Sequence, residues 1–155
     1  MGTIYLHDNL FYVQLSVTSA EEVIHFLAQQ MLENEFVEPT FEQALLEREK
    51  IFPTGLPLAS MGVAIPHTDP QHVKQATIAV AILEQPVLFK MMGNEEVDIL
   101  TNIVFTLAIN QPSEQIVLLE KLMELFQNEA KMDQLLHAKT KEQAKCIVEE
   151  ALENS

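Results

Sequence analysis

His67 is the residue of this sequence whose type and setting most favour chemistry. It follows Pro66 in the stretch MGVAIPHTD, residues 61–69. Proline lacks a backbone donor and keeps the residue before it extended, so the chain should leave a strand abruptly and present the histidine stiffly. An imidazole with a pKa of about 6.5 is largely neutral near pH 7, and its free ring nitrogen can attack an electrophile. On the residues alone, packing or loop hydrogen bonding is an equal alternative.

Arg48 is the only arginine in the chain. Arginine binds carboxylates and phosphates through its planar fork. In the second predicted helix, Arg48 falls on an apolar face with Ala44 and Leu45, and Phe41 and Phe52 belong to the same face. A guanidinium on such a face either forms a structural ion pair, lays its aliphatic stem along the apolar surface with the charge in water, or faces a solvated cleft. The third alternative predicts an anion site at the edge of a cleft.

Gln115 lies near the start of the helix predicted after Pro112. The N–H groups of a first helical turn are unpaired and attract anions, and a glutamine amide donates a hydrogen bond at any pH. Gln115 is therefore a candidate binding residue. The alternative is an ordinary surface glutamine.

A metal site is the competing interpretation of the same loop. His67, Asp69 and His72 form the spacing H-x-D-x-x-H, which on a loop could hold zinc for a hydrolase. No further Cys or His cluster supports it, so we predict no metal ligands. Nucleotide-binding glycine patterns and the GxSxG elbow are absent from the sequence. The other histidines are interpreted as surface or helix-boundary residues: His7, His25 and His137.

Composition limits the function classes. The 155 residues fit a single domain, 1–155, and 48% are hydrophobic, which favours a packed core. The net charge of -14 argues against nucleic acid and anionic membranes and is compatible with a basic protein partner. We predict neither a membrane span nor a signal peptide. Cys146, the only cysteine, is predicted to be a buried small hydrophobe, which weakly favours a reducing, cytoplasmic location.

Strand and helix patterns alternate along the chain. Apolar periodicity or continuous apolar runs predict strands at 11–17, 61–65, 76–83 and 102–109, with short edge strands or an irregular excursion at 87–100. Capping boxes and apolar spacing predict helices at 19–34, 40–50, after Pro112, at 131–137 and from 140. This order predicts an α/β fold: one domain with a mixed, mostly parallel β-sheet flanked by helices.

The segments REKIFPTGLPL and MGVAIPHTD together resemble the fructose/mannitol-type enzyme IIA domains of the bacterial phosphoenolpyruvate-dependent sugar phosphotransferase system (PTS). The resemblance extends through AINQPSEQIVLLEKL and the C-terminal helices, and so covers essentially the whole chain. It implies that His67 accepts a phosphoryl group from the phosphocarrier HPr and passes it to a cognate enzyme IIB, with a membrane IIC in the wider system. It also implies that Arg48 lies beside the phosphohistidine and that no metal or other cofactor takes part.

Gln115 departs from the pattern of many relatives, which have a second histidine at this position. The galactitol-specific branch is more similar, because it combines R-E-x-x-F-P-T-G and A-I-P-H with a glutamine-bearing N-P-x-x-Q stretch. We therefore expect a phosphoryl-relay component for a sugar or polyol, with galactitol favoured, in which Gln115 orients the ring or the phosphoryl group. A regulatory module that uses the same phosphohistidine to control a partner is the alternative.

Overall fold

A five-stranded mixed sheet with helices on both faces forms the framework of the protein. The computed structural model describes residues 4–153. The strands are β1 (Phe11–Leu15), β2 (Gly55–Pro57), β3 (Gly62–Ala64), β4 (Thr77–Met91) and β5 (Asn94–Ala108). The helices are α1 (Ala20–Glu33), α2 (Phe41–Ile51), α3 (Pro112–Gln127), α4 (Glu129–Leu136) and α5 (Lys141–Glu153). The predicted α/β fold with a mixed sheet flanked by helices is confirmed, but the longest ladder, β4 with β5, is antiparallel, so the sheet is not mostly parallel.

The long hairpin of β4 and β5 is the centre of the sheet. These strands pair antiparallel from Thr77 opposite Ala108 out to the turn at Gly93, which has a φ of 79°. The sequence predicted an irregular excursion or short edge strands at 87–100. That prediction is wrong because both strands simply continue to the turn, with a register shift between Ile82 and Val87.

Parallel pairing brings the short strands to the hairpin. β1 pairs parallel with β4, and β3 pairs parallel with β5, with Val63 opposite Ile103 and Ala64 opposite Val104. β2 pairs antiparallel with β3 and touches the far end of β4. Because β3 and β5 run parallel, the loops that follow them leave the same edge of the sheet, where α/β proteins commonly bind ligands.

Two hydrophobic layers explain why the central strand sequences are apolar without alternation. In β4, Ile78 and Val80 pack in the layer under α3, α4 and α5, whereas Ala79 and Ala81 pack in the layer under α1 and α2. Successive strand side chains point to opposite faces, and both faces are covered here. Burying each larger aliphatic side chain contributes about 1.5–3 kcal/mol.

Helix starts follow the predicted capping boxes in two cases of three. Ser19 accepts a hydrogen bond from the Glu22 N–H at 3.1 Å at the start of α1. Before α5, the Gln143 N–H donates to the Thr140 hydroxyl at 3.1 Å. The predicted capping interaction of Thr40 before α2 is wrong, because its hydroxyl bonds His72 Nδ1 at 2.8 Å instead.

Cys146 also differs from the prediction. Its thiol is exposed on α5, whereas Ala144 and Val148 of the same helix are buried. The helical spacing identified the apolar stripe correctly, but Cys146 lies beside that stripe rather than within it.

Gly62 is required by close packing of β3 on β5. A Cβ built on Gly62 would lie 2.1 Å from the Leu100 carbonyl oxygen, a backbone atom that cannot move aside without disturbing β5. We expect Gly62→Ala to lower the free energy of unfolding by at least about 1–3 kcal/mol.

Gly93→Ala is the matched control, and denaturant unfolding measures the free energy of unfolding of both variants. Gly93 has no heavy atom within 4 Å of its built Cβ, so its substitution incurs only the positive-φ cost of about 1–2 kcal/mol. Equal stability of Gly62→Ala and the unchanged protein would contradict the close approach of these two strands.

Candidate functional site

His67 lies three residues beyond the end of β3, at the edge where β5 also ends. It forms an isolated parallel bridge with Leu107, and the Leu107 N–H donates to the Pro66 carbonyl at 2.9 Å. Pro66 has no backbone N–H, so its carbonyl is its only hydrogen-bonding group, and that carbonyl accepts from β5. The loop carrying His67 is thus attached to the sheet on its β5 side, as the stiff presentation predicted from the sequence requires.

One hydrogen bond orients the imidazole of His67. Its Nδ1 lies 2.8 Å from the carbonyl oxygen of Ile65. A carbonyl only accepts, so Nδ1 carries the hydrogen and donates it. In the neutral ring Nε2 then keeps its lone pair, which is the form that a nucleophile requires.

The pKa of His67 lies below its ordinary value. Partial burial lowers it, and the nearby Arg48 charge lowers it further, against the opposing effect of the Ile65 carbonyl. Each cause that lowers the pKa favours the neutral ring. The site therefore maintains an uncharged imidazole next to a cation.

Arg48 lies in the last turn of α2 with its guanidinium partly exposed. Its Cζ is 5.1 Å from the ring centroid of Phe52, and its Nη1 is 3.6 Å from Asp69 Oδ1. Phe52 was predicted on the buried face, but its exposed fraction is 60% because it follows the helix end. The guanidinium thus lies against an exposed ring, and a solvent-facing carboxylate is its ion-pair partner. An ion pair this exposed contributes little energy, so a stronger anion can displace Asp69.

Glu49 and Thr54 connect α2 to the strand that leads to His67. Glu49 Oε2 accepts from the Thr54 N–H and Oε1 accepts from the Thr54 hydroxyl, both at 2.9 Å. The Thr54 oxygen in turn accepts from the Ile65 N–H at 3.2 Å. Burial raises the pKa of Glu49 to about 7, although both Thr54 hydrogen bonds act to lower it.

Sequence reasoning did not identify Glu49 or Thr54 as site residues. Both lie within the segment REKIFPTG, which supported the family resemblance, but nothing local distinguished them from a surface carboxylate and a turn residue. Their contacts join a helix to a loop and the loop to a strand, so the relevant signal is tertiary.

Gln115 lies in the first turn of α3, after β5 has left the sheet at the edge near His67. Its backbone N–H donates to the Gln111 carbonyl, and its side chain is partly buried. Within residues 4–153, no hydrogen bond joins its amide to His67 or Arg48. The structure therefore places Gln115 at the edge of the sheet where His67 lies, without a hydrogen bond from its side chain to His67 or Arg48 among residues 4–153.

The spacing H-x-D-x-x-H does not form a ligand cluster. Asp69 faces Arg48, and His72 Nδ1 bonds the hydroxyl of Thr40 at 2.8 Å. Among the residues that the structure describes, no three His, Cys, Asp or Glu side chains are placed to hold a metal ion. The metal-hydrolase alternative therefore has no geometric support.

The remaining histidines act locally. His25 contacts Glu42 at 2.6 Å, and His137 bonds the Asp133 carbonyl at the end of α4. His7 accepts from the Asn9 N–H at 3.0 Å. These surface and boundary roles match the predictions.

No helix within residues 4–153 has the length and apolar character needed to cross a membrane.

Comparison with known proteins identifies the class to which this fold and site correspond. Residues 4–151 match the family model described as "Phosphoenolpyruvate-dependent sugar phosphotransferase system, EIIA 2". The chain therefore belongs to the EIIA 2 family of this system. Members of the family are phosphotransferases that relay a phosphoryl group through a histidine.

Individual relatives differ in their described roles. The galactitol-specific PTS EIIA component of Escherichia coli (strain K12) is 32% identical over 108 residues, 70% of this chain and 71% of that protein. The transcriptional regulator ManR of Bacillus subtilis (strain 168) is 31% identical over 100 residues, 64% of this chain but 14% of the regulator. The solved complex of enzyme IIAMTL and phosphorylated enzyme IIBMTL from Escherichia coli matches with 25% identity and a TM-score of 0.72. That match covers 97% of this chain and 100% of the matched chain.

The lowered pKa of His67 predicts a measurable titration. We expect an NMR titration of the ring protons to give a pKa below 6.5. The unfolded chain then binds this proton more tightly than the folded one. Stability from neutral His67 is therefore fully present above about pH 6.5 and is lost as the pH falls through the folded-state pKa.

Comparison with the spectrum of His67→Gln identifies the His67 ring signals, so that they are not confused with those of the other histidines. A His67 pKa above 6.5 would contradict a partly buried, neutral ring.

Proposed function

We propose that this chain accepts a phosphoryl group on Nε2 of His67 from phospho-HPr and passes it to a cognate enzyme IIB. The observation that carries the proposal is the hydrogen bond from Nδ1 to the Ile65 carbonyl, which leaves Nε2 as the nucleophilic nitrogen. Membership of the EIIA 2 family supports the reaction class. The proposal needs no metal or cofactor and places the relay in the cytoplasm.

The proposed reaction is an in-line transfer from phospho-HPr to His67. The Nε2 lone pair of His67 attacks phosphorus, the bond from phosphorus to the donor atom of HPr breaks, and that atom keeps the electron pair. The His67 ring then carries both the phosphoryl group and its Nδ1 hydrogen, so the Ile65 carbonyl stabilises the ring's positive charge. Such transfers depend on positioning and electrostatic stabilisation rather than on new covalent chemistry.

Arg48 supplies the neutralising charge in this proposal. Its guanidinium leaves Asp69, 3.6 Å away, and turns to the equatorial oxygens of the phosphoryl group. The net charge of -14 repels a free phosphate, so a local cation is needed, and the same charge attracts a basic partner protein. The exposed side chains of Ile51 and Phe52 next to Arg48 add apolar surface that a protein partner can cover.

Gln115 is proposed to orient the phosphoryl group or the ring when the partner is bound. We expect Gln115→Ala to slow transfer about threefold to tenfold, the value of one neutral hydrogen bond. Gln111→Ala is the matched control, because Gln111 is exposed and its side chain makes no capping bond at the start of α3. Rates for Gln115→Ala within twofold of the unchanged protein would remove Gln115 from the site.

Sugar or polyol uptake is the proposed context, with galactitol the favoured cargo because of the galactitol-specific relative. A membrane IIC completes that system. The second candidate is a regulatory module in which phosphorylation of His67 controls a partner, and the similarity to the regulator ManR favours it. The two differ in the acceptor, not in the chemistry at His67.

The test of the proposed function is phosphorylation of the unchanged protein. Incubation with phosphoenolpyruvate, enzyme I and HPr is expected to give one acid-labile phosphoryl group per chain. Omission of HPr should prevent it. Absence of labelling by phospho-HPr would overturn the proposal.

Transfer to a panel of purified IIB proteins separates the two contexts. Rapid loss of label to a galactitol IIB supports the uptake role. Label that reaches no IIB, together with a regulator bound only by the phosphorylated form, supports the regulatory role.

A further inference from the structure

We infer that Glu49 is a positioning residue for phosphoryl transfer. It orients the His67 ring through Thr54 and the backbone of Ile65. This inference rests on the proposed function, because it concerns the same imidazole. Glu49 does not touch the reacting atoms. It acts through a continuous series of hydrogen bonds that runs from α2 to the ring.

The first contacts in the series fix the orientation of Thr54. The Glu49 carboxyl accepts both donors of Thr54, the N–H and the hydroxyl, at 2.9 Å each. A hydroxyl has a single hydrogen, so donation to Glu49 directs its lone pairs elsewhere. One of them accepts from the Ile65 N–H at 3.2 Å.

The later contacts carry this orientation to the ring. Ile65 uses its N–H for Thr54 and its carbonyl for His67 Nδ1, at 2.8 Å. Pro66 has no N–H, so the Ile65 N–H is the last backbone donor before His67. The Pro66 carbonyl accepts from Leu107, which holds the loop from the opposite side. Ile65 is thus the residue through which helix α2 acts on the imidazole.

Burying the Glu49 carboxylate costs free energy, which argues against a residue that only fills space. The raised pKa, about 7, reflects the cost of keeping a carboxylate in this partly buried place. A hydrophobic residue would fill the space without that cost. Glu49 also follows Arg48 directly, so the same helical turn carries both the phosphoryl-binding cation and the residue that aims the nucleophile.

The test combines ring tautomer and transfer rate in four proteins: the unchanged chain, Glu49→Gln, Thr54→Val and Thr54→Ser. Glu49→Gln keeps the shape but gives Thr54 a single acceptor. Thr54→Val keeps the volume but leaves the Ile65 N–H without its acceptor, whereas Thr54→Ser restores the hydroxyl. Imidazole ¹⁵N shifts report the tautomer of His67. Single-turnover transfer from phospho-HPr reports the rate constant in the complex and the apparent Kd separately.

We expect the unchanged protein and Thr54→Ser to hold the hydrogen on Nδ1. Glu49→Gln and Thr54→Val should show mixed tautomers, with the rate constant lowered about 10-fold or more and the apparent Kd unchanged, since small misplacements of a nucleophile cost large factors in rate. Far-UV circular dichroism and thermal melting verify that each variant is folded.

Two results would overturn the inference while the proposed function stands. One is a folded Glu49→Gln or Thr54→Val that keeps the rate and tautomer of the unchanged protein. The other is a Thr54→Ser that transfers the phosphoryl group no faster than Thr54→Val. Failure of the unchanged protein to accept phosphate from HPr is a different result, which rejects the proposed function itself.

Discussion

Substitution of His67 by alanine is expected to abolish phosphorylation by phosphoenolpyruvate, enzyme I and HPr. The reaction needs a nucleophilic nitrogen, and His67 Nε2 is the ring nitrogen left free by the hydrogen bond of Nδ1 to Ile65. Alanine removes the nucleophile while the loop keeps its attachment through the Pro66 carbonyl and Leu107. Acid-labile incorporation of ³²P per chain is the measurement, and the expected loss is complete.

His72→Ala is the matched control for that experiment. His72 lies in the same loop region, five residues later in the sequence, but its Nδ1 bonds Thr40 rather than a site residue. Labelling of this variant should stay at the level of the unchanged protein. Persistent labelling of His67→Ala would refute the assignment of the phosphoryl group to His67. Labelling lost equally in both variants would point to damage of the loop instead.

Substitution of Arg48 by methionine has the second largest expected effect. The guanidinium is the cation that offsets the phosphoryl charge in the proposed transfer, and loss of one such preorganised donor costs about 10²–10³ in rate. Stability should change little, because the contact with Asp69 is long and exposed and the contact with Phe52 contributes about 0.5–1 kcal/mol. Single-turnover transfer from phospho-HPr measures the effect.

Two further variants separate the local role of Arg48 from overall charge. Lys50→Met removes the same charge from the same helix at an exposed position, and we expect a change of less than threefold. Arg48→Lys keeps the charge but lacks the planar fork, so its rate should fall between those of Arg48→Met and the unchanged protein. Equal losses in Arg48→Met and Lys50→Met would show that only net charge matters.

Local signals predicted most of the elements correctly. Alternation of apolar residues predicted a strand at 11–17, where β1 covers Phe11–Leu15, and the Ser19 capping box identified the start of α1. Such signals depend on neighbours a few residues apart, which is why they are readable without the fold. The continuous apolar runs in β4 and β5 likewise reflect a sheet covered on both faces.

The failed predictions have two kinds of cause. Thr40 has the form of a capping residue, yet His72, far away in sequence, takes its hydroxyl. Cys146 and Phe52 have apolar character, yet the ends and rotations of their helices leave them exposed. In the far half of the hairpin, cross-strand pairing extends strands through a segment without a strong local pattern. For Thr40 and the hairpin, tertiary contacts overrode a local preference, whereas Cys146 and Phe52 are exposed because of their positions on or just after their helices.

By itself, the sequence determined that His67 follows a rigid proline at the end of a strand, that Arg48 is the sole arginine, and that both lie within segments similar to enzyme IIA domains. Only the tertiary structure decided which ring nitrogen is free, which carboxylate faces Arg48, and that Glu49 is connected to the imidazole. The physical reason is that the Thr54 hydroxyl reaches the Ile65 N–H, and Asp69 reaches Arg48, only because the fold brings these separate segments together. Residue type and spacing therefore specify the nucleophile, whereas the orientation of its ring depends on contacts between separate segments of the chain.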